Sequence, residues 1–204
     1  MNTLYRVQYQ YIPRIASLSP MADVALVIGH HPDAPGASLS IGSFSTTEYA
    51  IWSGFARELA RTLQPEVEAV VFERPDEKIT PALLGPVNDS GASCAVSLHH
   101  NAVAGQGSGT EMLYFPGSEK GRRLAASMQR HTLEALGLDD RGIRSRRDLA
   151  FLEGTRMPAV IAEPAFGSNE ADAWRLLTGL PDLLRAYRKG ITNWLSQATH
   201  DSHA

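Results

Sequence analysis

Short apolar runs alternate with longer amphipathic ones along this chain. Residues 22–28 (ADVALVI) are apolar, rich in branched side chains and closed by Gly29, which predicts a buried strand. The Gly-, Pro- and Ser-rich stretch after it reads as a loop. Over residues 48–64, Ile51, Trp52, Phe55, Ala56, Leu59 and Leu63 recur at helical spacing, with Arg57, Glu58 and Arg61 opposite. That periodicity predicts an amphipathic helix. Residues 67–73 read as the next strand, 79–89 as a short helix opened by Thr80-Pro81, and 93–98 and 110–115 as two further strands. Residues 119–136 read as a helix with Leu124, Met128, Leu133 and Leu136 inward, stopped by Gly137. Short strands are expected at 148–152 and 159–162, and closing helices at 170–177 and 182–196.

Strands alternating with helices of this length predict an α/β fold. The expected architecture is a single domain: a mostly parallel twisted sheet of about six strands with helices on both faces. The domain is placed at 22–197, between an N-terminal extension (1–21) and a disordered polar tail (198–204). In the extension, Tyr5, Val7, Tyr9 and Tyr11 alternate with Arg6, Gln8 and Gln10, the period of a short strand or adhering arm. It lacks the apolar centre and small-residue cleavage site of a signal peptide, so synthesis in the cytoplasm is expected.

Composition narrows the function classes. Nineteen Lys+Arg against 22 Asp+Glu give a net charge of -3, so no basic excess favours nucleic acid. No apolar run approaches the ~20 residues of a membrane span. The 204 residues contain one cysteine, Cys94, which excludes an internal disulfide framework and a Cys-rich zinc knuckle. Lying in Ser93-Cys94-Ala95-Val96, it reads as a small buried hydrophobe.

Four of the seven histidines come in two pairs, His30-His31 and His99-His100, each directly after a predicted strand. In open α/β sheets, ligands bind outside the carboxyl ends of the strands. Two such ends can therefore bring imidazoles to one point, and a catalytic zinc takes three protein ligands plus an open position. Glu48, at the start of the first helix, has two readings. It could complete such a site, or Ser45-Thr46-Thr47-Glu48 could form a capping box with Glu48 reaching back to the cap. Glu163 ends the apolar strand of PAVIAEPAFGSN, where a carboxylate is costly unless paired or used. It reads either as a partner for Arg146, Arg147 or Arg156, or as a general base or acid beside an activated water.

These residues, in this order, resemble the zinc-dependent N-acetylmuramoyl-L-alanine amidases of the type 3 family. The family's first strand and Gly-His correspond to Val27-Ile28-Gly29-His30, and its downstream Glu to Glu48. Its Ser-x-His-x-Asn-Ala motif stands as Ser97-Leu98-His99-His100-Asn101-Ala102, and its Gly-x-Glu strand as Gly109-Thr110-Glu111. The late motif stands as Leu152 and then Pro158-Ala159-Val160-Ile161-Ala162-Glu163-Pro164-Ala165-Phe166-Gly167-Ser168-Asn169. The chain departs from the usual Gly-His-Gly-Gly with His31-Pro32, and from the usual Gly after the catalytic Glu with Pro164-Ala165.

The resemblance implies His30, Glu48 and His99 as ligands of one Zn2+ and Glu163 as the catalytic carboxylate. It selects His30, the residue after the glycine, over His31. His31, His100 and Asn101 are candidates for contact with substrate. For each the alternative is supporting: a loop residue for His31, a group behind a ligand for His100, and a tie in the metal-site loop for Asn101. The implied activity is that of a peptidoglycan hydrolase, endolysin-like, cutting the amide between N-acetylmuramic acid and L-alanine with a zinc-activated water. The expected partner is peptidoglycan, met by a monomer after lysis or export, with no role for nucleic acid or membrane. The alternative is another zinc amidohydrolase or carboxypeptidase acting on a small acylated amino acid or peptide. A wall-binding module without catalysis has no need of Glu163.

Overall fold

The computed structural model describes residues 22–104 and 107–200. The N-terminal extension and residues 201–204 lie outside the described residues. Six strands build the central sheet: β1 (Val24–Ile28), β4 (Ala69–Phe72), β5 (Cys94–Leu98), β6 (Thr110–Tyr114), β7 (Asp140–Ser145) and β8 (Ala159–Glu163). Their order is β4-β1-β5-β8-β6-β7. The first four run parallel, β6 is antiparallel to β8, and β7 is parallel to β6. The carboxyl ends of β1, β5 and β8 therefore share one edge with the start of β6. A separate hairpin, β2 (Ser38–Ile41) and β3 (Phe44–Thr47), lies on the way from β1 to the first helix.

Strands β1 and β5 are buried along their whole length, because helices cover both faces. One face carries Val24, Leu26, Ile28, Val96 and Leu98 against α1 (Glu48–Leu63), α3 (Glu119–Leu136), α5 (Glu170–Thr178) and α6 (Leu180–His200). Trp52, Phe55, Leu124, Met128, Tyr187 and Ile191 are the helical side of that core. The other face carries Ala25, Val27, Ala95 and Ile161 against α2 (Pro81–Asp89) and α4 (Ala150–Gly154), through Leu83, Val87, Phe151 and Leu152. Each Val, Leu, Ile, Phe or Met side chain so removed from water stabilises the fold by roughly 1.5–3 kcal/mol before the entropy of ordering is set against it. No helix of the described residues is long and apolar enough to cross a membrane.

The α/β sheet of six strands is the one expected, and α3 has the bounds read from its pattern. Ser118 accepts from Gly121 N at its start, and Gly137 takes the left-handed cap (φ 62) at its end. Four expectations are corrected. Residues 148–152 are not a strand: 150–154 form α4, which buries Phe151 and Leu152 together, whereas strict alternation would send them to opposite faces. Residues 38–47 are a hairpin, turning at Gly42 (φ 55), rather than plain loop. Strand β7 was not expected, since its residues are polar and lie on the sheet edge. Helix α6 runs to His200, into the stretch read as a disordered tail.

Candidate metal centre

Strands β1 and β5 are parallel neighbours in register, Ile28 opposite Leu98, so the residues that follow them leave the sheet side by side. Gly29 N donates to Leu98 O at 3.1 Å, and a Cβ on Gly29 would stand 2.4 Å from the His99 ring. Only glycine permits that approach. The His30 and His99 rings meet edge to face with centroids 5.1 Å apart. Arg74, buried just after β4, donates from Nη1 to Gly29 O at 2.6 Å and from Nη2 to Glu77 O, pinning the turn that carries His30. Burial pushes its pKa down from the ordinary arginine value.

Glu48 reaches the same point from the start of α1. The cap of α1 is Thr47, whose side chain accepts from Ala50 N, so Glu48 is the first helical residue and the capping-box reading is corrected. Its carboxylate is buried (4% exposed) and accepts from Ala37 N at 2.8 Å and His100 N at 3.1 Å. His30 Nε2 stands 3.2 Å from one oxygen and His99 Nδ1 3.3 Å from the other. Burial by itself would raise the Glu48 pKa, but hydrogen bonds to both imidazoles outweigh it and hold the carboxyl far below its usual range.

Donor atoms of His30, Glu48 and His99 all lie within 4.8 Å of one another. Two ligands about 2.1 Å from one ion at the tetrahedral angle stand about 3.4 Å apart, so two imidazoles and a carboxylate spaced this way fit a divalent cation. Among the described residues this is the one His/Cys/Asp/Glu cluster arranged to hold a metal. The His30 and His99 side chains keep 25% and 19% exposure, which leaves the point open to solvent on one side.

Glu163 ends β8 and stands in register with Glu111 of β6. Asn101 Nδ2 donates to both, 2.6 Å to Glu163 Oε2 and 2.6 Å to Glu111 Oε1. None of the three arginines expected as partners makes an ion pair with Glu163: Arg146 grips Asp148 with two bonds and acts on Glu163 only through its charge, Arg147 lies over the Phe115 ring, and Arg156 faces Asp89. Burial, the neighbouring Glu111 carboxylate and, further off, Glu48 push the Glu163 pKa well above the ordinary glutamate range. A carboxyl tuned upward in this way is suited to exchanging a proton near neutral pH.

The three substrate-contact candidates fare differently. His100 is 3% exposed and sits tilted on Trp52, with a Cβ on Gly167 reaching 2.6 Å from its ring, so its imidazole is packed behind the cluster. Burial lowers its pKa, and it supports Glu48 from behind through its backbone N–H. His31 stands outside the metal cluster. Its Nδ1 accepts from Asp33 N at 3.2 Å, and its ring lines a cleft of about 400 Å³ with Asp33, Asp76 and Lys78. Asn101 ties the loops: its N–H donates to Ala165 O, its C=O accepts from Gly167 N, and its amide bridges the two carboxylates.

Sequence reasoning missed three supporting residues. Asp172 is buried and accepts from Ser108 Oγ, Gly109 N and Phe166 N, stitching the loop before β6 to the loop after β8. Glu111 stood in a quoted motif with no role attached. Gly36 has φ 81, and a Cβ there would come within 2.6 Å of Glu48 Oε2 and 2.7 Å of the His30 ring. Gly36→Ala is therefore expected to displace two of the three donors and weaken binding of a divalent cation about 10- to 100-fold, the scale for disturbing groups that orient ligands. Isothermal titration of the metal-free protein measures this, and unchanged affinity would show that the loop yields without moving the donors.

The chain matches the N-acetylmuramoyl-L-alanine amidase family over residues 24–193. The catalytic domain of CwlV, an N-acetylmuramoyl-L-alanine amidase from Bacillus (Paenibacillus) polymyxa var. colistinus, superposes with a TM-score of 0.73 at 26% identity, covering 85% of this chain and 97% of that one. An N-acetylmuramoyl-L-alanine amidase from Clostridium difficile 630 superposes with a TM-score of 0.74 at 22% identity, covering 87% and 98%. The uncharacterized protein YqiI of Bacillus subtilis (strain 168) is 36% identical over 88 residues, a match that spans 42% of this chain and 42% of that relative. Since the family match runs from the first residue of β1 into the body of α6 and takes in every strand of the central sheet, this chain belongs to the N-acetylmuramoyl-L-alanine amidase family.

Proposed function

We propose that the protein is a peptidoglycan hydrolase that cleaves the amide bond between N-acetylmuramic acid and the L-alanine of the stem peptide. The observation that carries this reading is the family match across the whole domain, on a chain that keeps the His30-Glu48-His99 cluster and a half-buried strand-end carboxylate. His30, Glu48 and His99 would hold one Zn2+. When bound, the ion acidifies a water and polarises the amide carbonyl.

The remaining steps belong to this chain's own residues. Glu163 accepts the proton of the attacking water and returns one to the departing L-alanine nitrogen, which leaves as a neutral amine. Its upward-shifted pKa matches that exchange, since a base near the working pH serves in both directions. Asn101 and the backbone ladder beyond β5 and β8 hold Glu163 in place. Ala37 N and His100 N fix the Glu48 carboxylate before any ligand arrives. The protein would meet its substrate in the cell wall, after lysis or export.

The test is a release assay on purified cell wall with zinc supplied. New L-alanine amino termini, with no new reducing sugar, are expected. Release of other amino termini, or hydrolysis confined to small acylated amino acids, would assign the site to a different zinc amidohydrolase.

A further inference from the structure

Glu163 is one end of a chain of contacts that begins at the sheet edge. Glu111, 6% exposed, lies opposite it across the antiparallel β6–β8 pair. Glu111 Oε2 is gripped by Arg141 Nε at 3.2 Å and by Arg144 Nε at 3.1 Å, both from β7. Arg141 is itself held: its Nη1 donates to Ser108 O at 3.3 Å, and its guanidinium lies 4.8 Å over the Phe166 ring. Glu111 Oε1 takes one N–H of Asn101, and Glu163 Oε2 takes the other. A side-chain amide nitrogen carries two hydrogens, so both are committed. The Asn101 backbone is fixed from both sides by Ala165 and Gly167. Every member of this network is thus anchored by something other than Glu163. The Glu163 and Glu111 carboxyls also lie within side-chain hydrogen-bond reach of each other.

We propose that Glu111 is a positioning residue for amide cleavage: through Asn101 and by direct contact it locks the Glu163 carboxyl in one orientation. The proposal rests on the reading of Glu163 as the base. It explains why a strand-end carboxylate is partnered by an amide rather than by one of the nearby arginines. A guanidinium on Glu163 would lower its proton affinity, whereas an amide orients it without neutralising it. The arginines act one residue removed, on Glu111.

The experiment uses the full chain loaded with zinc and a soluble N-acetylmuramoyl peptide as substrate. Four variants are compared: Glu111→Gln, Asn101→Ala, Glu163→Gln and the Glu111→Gln/Glu163→Gln double. Glu111→Gln is expected to lower kcat about 10- to 100-fold, the scale for a reacting group displaced by roughly an ångström. KM and zinc content should stay as they are. Asn101→Ala cuts the same tether at its other end and should reproduce the loss, which keeps the test alive if Glu111→Gln fails to fold. In the Glu163→Gln background, Glu111→Gln should cost less than about twofold more, because residues that act as a unit are not additive. A kcat unchanged in both tether variants would overturn the proposal. So would an undiminished loss in the double variant, or zinc lost along with activity. Full activity of Glu163→Gln alone would instead remove the underlying base assignment, an outcome distinct from these.

Discussion

Glu163→Gln is expected to lower amide cleavage by about 100-fold or more while leaving zinc content unchanged. The magnitude is that of losing a positioned general base. The geometry makes the variant informative. Glutamine keeps the volume and the carbonyl acceptor for Asn101 Nδ2, so the strand end and the tether survive. The side chain lies outside the three-residue cluster, so the donors for the ion are untouched. Stability gives an independent check whose sign follows from the raised pKa. A carboxyl with a folded pKa above its unfolded value binds more protons in the folded state. In metal-free wild-type protein, it therefore costs nothing below the ordinary glutamate value of 4.5 and costs progressively more as pH climbs through the raised value. Metal-free Glu163→Gln lacks that penalty. Its midpoint of urea unfolding should equal that of wild type at pH 4 and exceed it at pH 9. A variant that cleaves wall at the native rate, or that loses its zinc, would remove Glu163 from the role given to it.

What could be read in the sequence follows from how each element is buried. Strands β1, β5 and β8 are covered on both faces, so they stand out as unbroken apolar runs ended by Gly29, His99 and Glu163. The polar residues that break those runs are the ones the fold brings to a single edge. That is why the two histidine pairs and Glu163 stand out as candidates, whereas Glu48, at the start of α1, is open in the sequence between a ligand and a capping box and joins His30 and His99 only through the family resemblance. Strand β7 gives no such signal. Its residues Asp140-Arg141-Gly142-Ile143-Arg144-Ser145 are half-exposed on an edge, and backbone pairing with β6 defines them as a strand. The β2–β3 hairpin buries Leu39 but leaves Phe44 more than half exposed, too little alternation to register as a pattern. The supporting network was hidden for a different reason. Glu111 and Asp172 gain their roles from the antiparallel β6–β8 register and from the fold-back of α5, neither of which local periodicity encodes. A small residue such as Gly36 is equally silent, since its importance lies in what a Cβ would strike.

His99→Ala is expected to abolish zinc binding at micromolar metal, and activity with it, whereas His31→Ala should keep both. The contrast follows from where the rings sit. His99 Nδ1 is one of three donors gathered around the Glu48 carboxylate, and its loss leaves two. Structural zinc sites with four ligands have apparent binding energies of about 10–16 kcal/mol, or roughly 3 kcal/mol per ligand. Removing one donor should then weaken binding by at least about 100-fold. His31 is the next residue to His30, but its Nδ1 is taken by the Asp33 N–H and its ring lines a different cleft. Two measurements separate the variants without reference to catalysis. Metal analysis after dialysis should find one zinc per chain in wild type and His31→Ala and none in His99→Ala. Thermal unfolding should show the linkage effect. Zinc at 100 times its dissociation constant stabilises the folded state by about 2.7 kcal/mol, so wild type and His31→Ala should rise in Tm on adding it and His99→Ala should not. The Glu48 carboxylate sharpens the expectation: held far below the usual carboxylate range by its two imidazoles, it needs no deprotonation to bind at neutral pH. Zinc retained by His99→Ala, or lost by His31→Ala, would mean that the other member of a histidine pair carries the ion and that the converging triad is a hydrogen-bonded core instead.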